Sequence, residues 1–294
     1  MTLSLRPSHM RQPGPPPAER LVAVPCRGRA LRLTLEAGRP LLRAIVDAFA
    51  AEGFSSGTAR LDGLVLAPFA YCMPALPRDE RHVAFYSQTF RPEGASRFRT
   101  GAMTFGERDG APFFHAHGIW QDADGSLHAG HVLPDETTVA ETVVIDAFGI
   151  DGAAFRVDLD PETGFSLFGP VAAESRLAAD GLEPAHALRL RPNRDFATAL
   201  ESFCRDRGIA AARLEGGVGS TIGALFTDGG EVTNFATEVF VEHGRIAAGA
   251  DGPAVEAEIV LVDHTGARAA GRLVRGANPV LMTFELVVVE TPAA

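Results

Sequence analysis

The chain carries two copies of one pattern, and this internal repeat limits what it can fold into more than any other feature. Residues 31–63, LRLTLEAGRPLLRAIVDAFAAEGFSSGTARLDG, and residues 188–220, LRLRPNRDFATALESFCRDRGIAAARLEGGVGS, both have the pattern strand, amphipathic helix, strand. The second strands end alike, as ARLDG and ARLEG. Self-similarity of this kind predicts two structural units with the same topology, so we expect a tandem repeat.

The repeat continues through a hairpin and a closing strand. HAHGIWQDADGSLHAGHVL, which begins at residue 115, aligns without a gap with EAEIVLVDHTGARAAGRLV at 256–274. Two glycines of the hairpin match between the copies, Gly125 with Gly266 and Gly130 with Gly271. Each copy then closes with a strand that contains a glutamate, Glu141 in the first and Glu285 in the second.

The limits of the two copies predict the domain organisation. We expect one domain at 28–170 and a second at 186–290, joined by a linker at 171–185 in which a short helix is possible until Gly181 and Pro184. Residues 1–27 are rich in proline and lack the apolar core of a secretory signal, so we expect a flexible N-terminal tail.

Each copy contains one helix among five or more segments with strand character. The sequence predicts a helix most clearly at Pro40–Ala51. Proline stands at its start, an apolar stripe follows, and Gly53 ends the pattern. Runs of strands with few helices between them are typical of an α+β domain on a mainly antiparallel sheet. We therefore predict two α+β repeats, each with one principal helix.

The charge of the chain disfavours nucleic acid as a partner. Its formal net charge is −10, which repels a phosphate backbone, whereas nucleic-acid binders usually carry a basic face. The best local exception is Arg27-Gly28-Arg29, which resembles a minor-groove arm. Alanine follows it, and we interpret it as the polar start of the strand ALRLTL.

Cysteine usage and hydropathy favour a cytoplasmic protein. Cys26, Cys72 and Cys204 lie far apart and form no CxxC pair, so we expect reduced thiols. The longest apolar runs, such as FELVVV, are far shorter than the roughly 20 residues of a membrane-spanning helix.

The hairpin HAHGIWQDADGSLHAGH at 115–131 holds four of the nine histidines. Residues two apart in a strand point to the same face, so His115 and His117 project together. A turn centred on Asp124 brings position 117 opposite 131 and position 115 opposite 133. His131 then joins the first two histidines, whereas His128 has the opposite parity and faces away.

Three converging imidazoles predict a metal site with a position left open for water or substrate. Zinc is the first expectation, and nickel or ferrous iron also accepts imidazole nitrogen. The alternative is that alternating histidines on a half-exposed strand are ordinary polar surface residues, because the pattern lacks a spacing as specific as HExxH.

The second copy serves as an internal comparison for this site. Its three matching positions are Glu256, Glu258 and Arg272, and a guanidinium does not replace a ligating imidazole. We expect the second copy to lack the metal and Arg272 to pair with the two glutamates. The hairpin therefore does not need histidines to fold, which favours a functional reason for them in the first copy.

The first hairpin resembles the signature of the PPC (plants and prokaryotes conserved) domain, in which HxH, a turn with glycine, Gly-Gly-His and Thr-Ala-Glu recur. The last two motifs stand here as Ala129-Gly130-His131 and Val139-Ala140-Glu141. The resemblance implies an α+β fold, a tendency to form trimers and a metal at the histidines of prokaryotic members. Plant members add a DNA-binding AT-hook, but the Arg-Gly-Arg-Pro sequence of such a hook is absent here.

The same hairpin is also similar to that of α-acetolactate decarboxylase, whose three histidines hold zinc, although the gap before the third histidine is shorter there. The family's other catalytic residues have no clear match in this chain.

Two classes of function remain open from the sequence. The first is a metalloprotein with an open three-histidine site that binds or transforms a small oxygenated molecule, with Glu141 as a candidate acid or base. The second is an oligomeric regulatory or interaction module, with DNA binding, as the labels of prokaryotic relatives suggest, a weaker third. The segment at 77–94, which the second copy lacks, either covers the site of its own or a neighbouring copy or extends the surface, and we favour the surface interpretation.

Overall fold

The computed structural model describes residues 6–249 and 252–292. The first half, residues 21–172, contains these elements in chain order: β1 (Leu21–Leu35), α1 (Leu41–Ala51), β2 (Gly57–Arg60), β3 (Val65–Leu66), β4 (Tyr71–Cys72), β5 (Pro74–Ala75), β6 (Phe85–Tyr86), β7 (Ser96–Arg108), β8 (Ala111–Gln121), β9 (Leu127–Val132), a 3-10 turn (Pro134–Glu136), β10 (Val143–Asp151), β11 (Ala153–Leu159) and β12 (Ser166–Ala172).

The second half, residues 183–290, contains fewer and longer elements: β13 (Glu183–Leu190), α2 (Phe196–Arg207), β14 (Ala212–Leu225), β15 (Glu231–Gly249), β16 (Gly252–Asp263), β17 (Arg268–Arg272) and β18 (Val280–Glu290). Many strands and two helices over the described residues confirm the α+β class. Among the described residues, no helix is long and apolar enough to cross a membrane.

The two halves have the same strand order within one continuous sheet. Neighbouring strands run β1-β10-β2-β7-β8-β9 in the first half and β13-β18-β14-β15-β16-β17 in the second. The halves join where β1 pairs with β13, antiparallel, from Leu21↔Leu190 to Gly28↔Glu183. All pairings of these equivalent strands are antiparallel.

The helix predicted at Pro40–Ala51 is confirmed as α1, with Pro40 immediately before its first residue. Its buried stripe is Leu41, Ala44, Ile45 and Phe49, spaced so that one face packs on the sheet. In α2, the Asp195 carboxylate accepts a hydrogen bond from Thr198 N at 2.9 Å, and Gly208 ends the helix with φ 70°.

Each half has an apolar core of its own. The two largest core clusters centre on α1 with its sheet, including Phe49 and Trp120, and on α2 with its sheet, including Phe196 and Phe284. A smaller cluster joins the faces of the two halves through four buried residues: Ala102, Val218, Phe240 and Val260. Strands β7 and β8 therefore lie directly against β14 and β15, which determines what surrounds the histidine hairpin.

The expected flexible tail at 1–27 is wrong for its last seven residues, which form the start of β1. The prediction gave too much weight to the prolines of this segment. At Pro25, β1 pairs with β13 but not with β10, so the N–H that proline lacks is not needed there. Earlier in the chain, Gln12 Nε2 donates to Leu281 O at 2.7 Å, and Met10 exchanges hydrogen bonds with Asn193. Residues 1–5 lie outside the described residues.

The connection between the halves contains no helix over residues 173–182, all of which are described. Strand β12 ends at Ala172, β13 begins at Glu183, and Gly181 has φ 74° between them. The short helix considered for the linker at 171–185 is therefore wrong, because strands enter this range from both sides and leave a loop.

Candidate metal centre

The histidine hairpin has the predicted register. His117 lies opposite His131, and Gly118 opposite Gly130, in the antiparallel pair β8–β9. The turn closes through Gly125 N, which donates to Asp122 O at 2.9 Å, with Gly125 at φ 86°. The pairing does not extend to position 133, because β9 ends at Val132 and Leu133 N donates to Ala70 O instead.

Strand parity brings three histidines together and sends the fourth away. One ring nitrogen from each of His115, His117 and His131 lies within 4.8 Å of the others; we call these three residues the histidine group. His128 lies on the other face, where its Nε2 is 3.0 Å from Ser126 Oγ and 3.5 Å from Asp122 Oδ2.

The distances within the histidine group fit a small metal ion. His117 Nε2 is 3.1 Å from His115 Nε2 and 3.3 Å from His131 Nδ1. Two ligands bound to one tetrahedral zinc ion at about 2.0–2.1 Å are separated by about 3.3 Å. Both nitrogens next to His117 Nε2 therefore lie at the spacing of ligands on one divalent transition metal, and all three nitrogens lie within 4.8 Å of one another.

The second half of the chain orients two of these rings. His117 Nδ1 is 3.0 Å from Val239 O, and His115 Nδ1 contacts Glu285 Oε1. A ring nitrogen that donates to a carbonyl or a carboxylate leaves the other nitrogen with a free lone pair, as in many metal sites. His115 and His117 thus both present Nε2 to the centre of the group.

Burial also favours the neutral, ligating form of the imidazoles. His117 and His131 are 4% and 8% exposed. Desolvation, with a smaller contribution from charge on neighbouring histidines, holds the pKa of both well below the usual value. Both rings are therefore free of protons that would compete with a metal ion at neutral pH.

Two buried carboxylates from the second half border the histidine group, and sequence reasoning gave neither a role in this site. Glu285 on β18 is fully buried, and Glu238 on β15 is 6% exposed with Oε1 at 4.0 Å from His131 Nδ1. Desolvation raises the pKa of Glu238 well above its usual value. The alignment of the copies matched Glu285 with Glu141. It carried no information about which of these two glutamates lies near the histidines.

Glu141, the carboxylate expected as an acid or base, lies elsewhere. Its two oxygens accept from Arg97 Nη2 at 2.8 and 3.0 Å, and both side chains are 58% exposed. The carboxylate in contact with His115 is instead that of Glu285. Glu141 sits just before β10, outside the sheet interface that carries the histidines.

The segment at 77–94 borders the site, which the interpretation as a surface extension did not include. Its strand β6 pairs with β5 and brings Phe85 and Tyr86 beside the histidines. The Tyr86 ring packs edge-on to the ring of His131 at 5.2 Å, and Phe85 packs near Phe165 at 5.8 Å. Both rings remain 36–37% exposed, so the segment borders the site and also forms part of the surface.

A cleft of about 620 Å³ opens beside His115 and His131. Its apolar wall is aromatic, from Phe85, Tyr86, Phe113, Phe165 and Phe168. The polar groups at its border include Ser87, Thr89, Arg108 and Asp135. The cleft gives a small molecule a path to the histidine group.

The second hairpin repeats the geometry without the metal ligands. Glu258 lies opposite Arg272 in β16–β17, the same register as His117 opposite His131. Arg272 lies 3.6 Å from Glu258 and 4.0 Å from Glu256, as predicted, and Arg245 also binds Glu256 at 2.8 Å. An ion-pair network thus occupies the position of the histidine group.

The fold and site together define an α+β protein whose continuous sheet carries a candidate metal centre between its halves. The model of the Plants and Prokaryotes Conserved (PCC) domain, also written PPC, matches residues 179–292, in the second half of the chain. The matched range is the half that lacks the histidines. The similarity of the first hairpin to α-acetolactate decarboxylase stays a prediction.

Several solved structures are similar to part of the chain. A PPC protein from Pyrococcus horikoshii is 19% identical, with 51% of this chain and 95% of that chain covered and a TM-score of 0.39. A metal-containing protein from Archaeoglobus fulgidus is 17% identical, with 48% and 94% covered and a TM-score of 0.39. A candidate DNA-binding protein from Ralstonia eutropha is 19% identical, with 47% and 89% covered and a TM-score of 0.34. A comparison with curated proteins gave no match.

Proposed function

We propose that the protein binds a divalent transition metal, with zinc the first expectation, through His115, His117 and His131, and that this centre binds or transforms a small oxygenated molecule. The observation that carries the proposal is the separation of the three facing nitrogens, 3.1 and 3.3 Å along the group. Polar surface histidines, the alternative interpretation, have no reason to be buried with their ring nitrogens turned toward one another.

The residues around the group fit a reactive centre better than a closed structural one. A bound metal of this kind acts as a Lewis acid on a carbonyl or hydroxyl oxygen, or lowers the pKa of bound water. Glu285 and the carbonyl of Val239 hold two rings in orientation. Phe85 and Tyr86 restrict water on the cleft side, and three protein ligands leave a position open.

Nucleic-acid binding receives less support. The chain carries a formal net charge of −10, and Arg27-Gly28-Arg29 lies inside β1, where Arg27 and Gly28 have pairing partners in both β10 and β13. Arg29 Nη2 also binds Glu52 Oε2 at 2.9 Å. A backbone held in a sheet is not free to enter a minor groove. We expect no shift of duplex DNA in a gel at low salt, where electrostatic binding is strongest.

We also propose that the halves are tandem copies of one domain, at 28–170 and 186–290. The support is their common strand order and the equal register of their hairpins. An oligomer, with a trimer as the first expectation, stays a proposal from the family resemblance, tested by light scattering. Three free cysteines fit the reducing cytoplasm.

Elemental analysis of protein purified without chelator tests the metal proposal. We expect about one equivalent of a transition metal per chain in the wild type and its loss in His117→Ala, since a site with two remaining imidazoles binds much more weakly. His128→Ala, which changes a histidine on the opposite face of the same hairpin, should keep the metal. Absence of stoichiometric metal in the wild type would leave the regulatory or interaction module as the better account.

A further inference from the structure

Glu238 differs from the other buried glutamates in having no hydrogen-bond partner. Glu162 accepts two hydrogen bonds from Arg20 at 2.8 Å, and Glu201 accepts one from Arg275 Nε at 2.7 Å. Among residues 6–249 and 252–292, nothing donates to either carboxylate oxygen of Glu238, although both oxygens are buried. A buried carboxylate without a partner is costly, so its retention calls for a cation that the protein atoms do not supply.

The position of Glu238 indicates which cation this is. Its Oε1 is 4.0 Å from His131 Nδ1, the nitrogen that His131 turns toward His117. The next residue, Val239, fixes the His117 ring through its carbonyl. Glu238, His115 and His117 also line one small cavity between the halves. The carboxylate therefore borders the histidine group from the second-half side of the interface, next to His131 Nδ1, but outside the 4.8 Å within which the three nitrogens lie, and it has to move toward them to share one ion.

We propose that Glu238 supplies a carboxylate ligand to the metal bound by the histidine group. The inference rests on the proposed metal binding and goes one step beyond it, because it assigns the centre to both halves of the chain: three nitrogens from the first and one oxygen from the second. Two donors on one ion lie about 3.3 Å apart, so the 4.0 Å between Glu238 Oε1 and His131 Nδ1 must shorten for both to bind the metal. Carboxylate oxygen beside imidazole is a common donor set for zinc.

The proposal explains why the second half is kept beside a site whose histidines all lie in the first. Glu285 already contacts His115 Nδ1 and acts on the metal only through that ring. Glu238 has no such intermediary, and the cavity it lines leads to the facing nitrogens. A single copy of the first half would therefore bind the metal with three ligands and an unneutralised charge.

Zinc affinity tests the assignment directly. Glu238→Gln keeps the shape of the side chain and removes its charge, and affinity for zinc is measured by competition with a chromophoric chelator. We expect zinc affinity to fall by more than the roughly 10- to 100-fold that is typical when a residue hydrogen-bonded to a metal ligand is changed. Cobalt loaded in place of zinc should also show a changed visible absorption spectrum, because one donor atom of the metal is different.

Controls separate this proposal from the metal proposal and from misfolding. Glu258→Gln removes a half-exposed carboxylate of the second hairpin and should leave affinity and spectrum unchanged. Circular dichroism checks the fold, and if Glu238→Gln does not fold, Glu238→Asp, which shortens the reach of the carboxylate, should weaken zinc binding instead. Wild-type affinity with an unchanged cobalt spectrum in the folded variant would overturn the role of Glu238 alone, whereas a wild type without affinity for zinc would overturn both proposals.

Discussion

Substituting glutamine for His131 should make the metal-free protein less sensitive to acid. His131 is 8% exposed, and burial holds its pKa well below the usual value in the folded state. In the unfolded chain its pKa returns to about 6.5. Below about pH 6.5, His131 therefore binds a proton in the unfolded state but stays neutral in the folded state. The free energy of unfolding falls as the pH drops for this reason.

The size of the effect follows from this difference in proton binding. At pH 5.5, one unit below the unfolded pKa, proton uptake by one histidine favours the unfolded state by about 1.4 kcal/mol, and each further unit adds about 1.4 kcal/mol until the folded pKa is reached. At pH 7.5 the same contribution is below about 0.1 kcal/mol. His117 adds a second contribution of the same sign, since its pKa is also lowered by burial.

Urea denaturation of chelator-treated protein at pH 7.5 and 5.5 measures this loss. In His131→Gln, the drop in the free energy of unfolding between the two pH values should be smaller than in the wild type by about 1.4 kcal/mol. Titrating groups away from His131 are common to both proteins and cancel in the comparison, and loss of the His131 charge can only raise the pKa of His117, which changes the drop in the same direction. His128→Gln should lose as much stability as the wild type. An equal drop in His131→Gln and the wild type would refute the claim that His131 is held neutral.

Two further predictions concern the walls of the site. Gly130→Ala should reduce the free energy of unfolding by about 1–3 kcal/mol in thermal or urea denaturation, because a Cβ there would lie 2.5 Å from the backbone oxygen of Cys72. Gly169→Ala should have little effect, because its Cβ would lie 3.7 Å from Arg189 Cδ, an ordinary van der Waals distance. Tyr86→Ala should release bound metal to excess chelator several-fold faster than the wild type in a stopped-flow assay, since the ring over His131 is lost; an unchanged release rate would mean that Tyr86 does not cover the centre.

Local patterns were enough to predict the register of the hairpin and which histidines share a face. Three local features determine which side chains share a face: the spacing of two between His115 and His117, a recognisable turn, and His131 at the opposite register position. The structure has His117 opposite His131 for that reason. The helix α1 was predictable in the same way, from a start signal, an apolar stripe and a stop signal.

The surroundings of the histidines were not predictable, because they depend on contacts between residues more than a hundred positions apart. Glu238 and Glu285 reach the site only because β14, β15 and β18 of the second half pack against β7 and β8 of the first. The repeat alignment identified a glutamate at the right strand, but no sequence pattern specifies which face of one half meets the other. Glu141 was chosen for its proximity along the chain, and it pairs with Arg97 instead.

The most direct measurement is anomalous diffraction from crystals of the zinc-loaded protein, recorded on both sides of the zinc absorption edge. The account predicts one strong peak between the two halves, about 2.0–2.2 Å from His115 Nε2, His117 Nε2, His131 Nδ1 and one oxygen of Glu238. A peak at another place in the chain, or a metal held by the histidines with Glu238 turned away from it, would contradict a centre built by both halves.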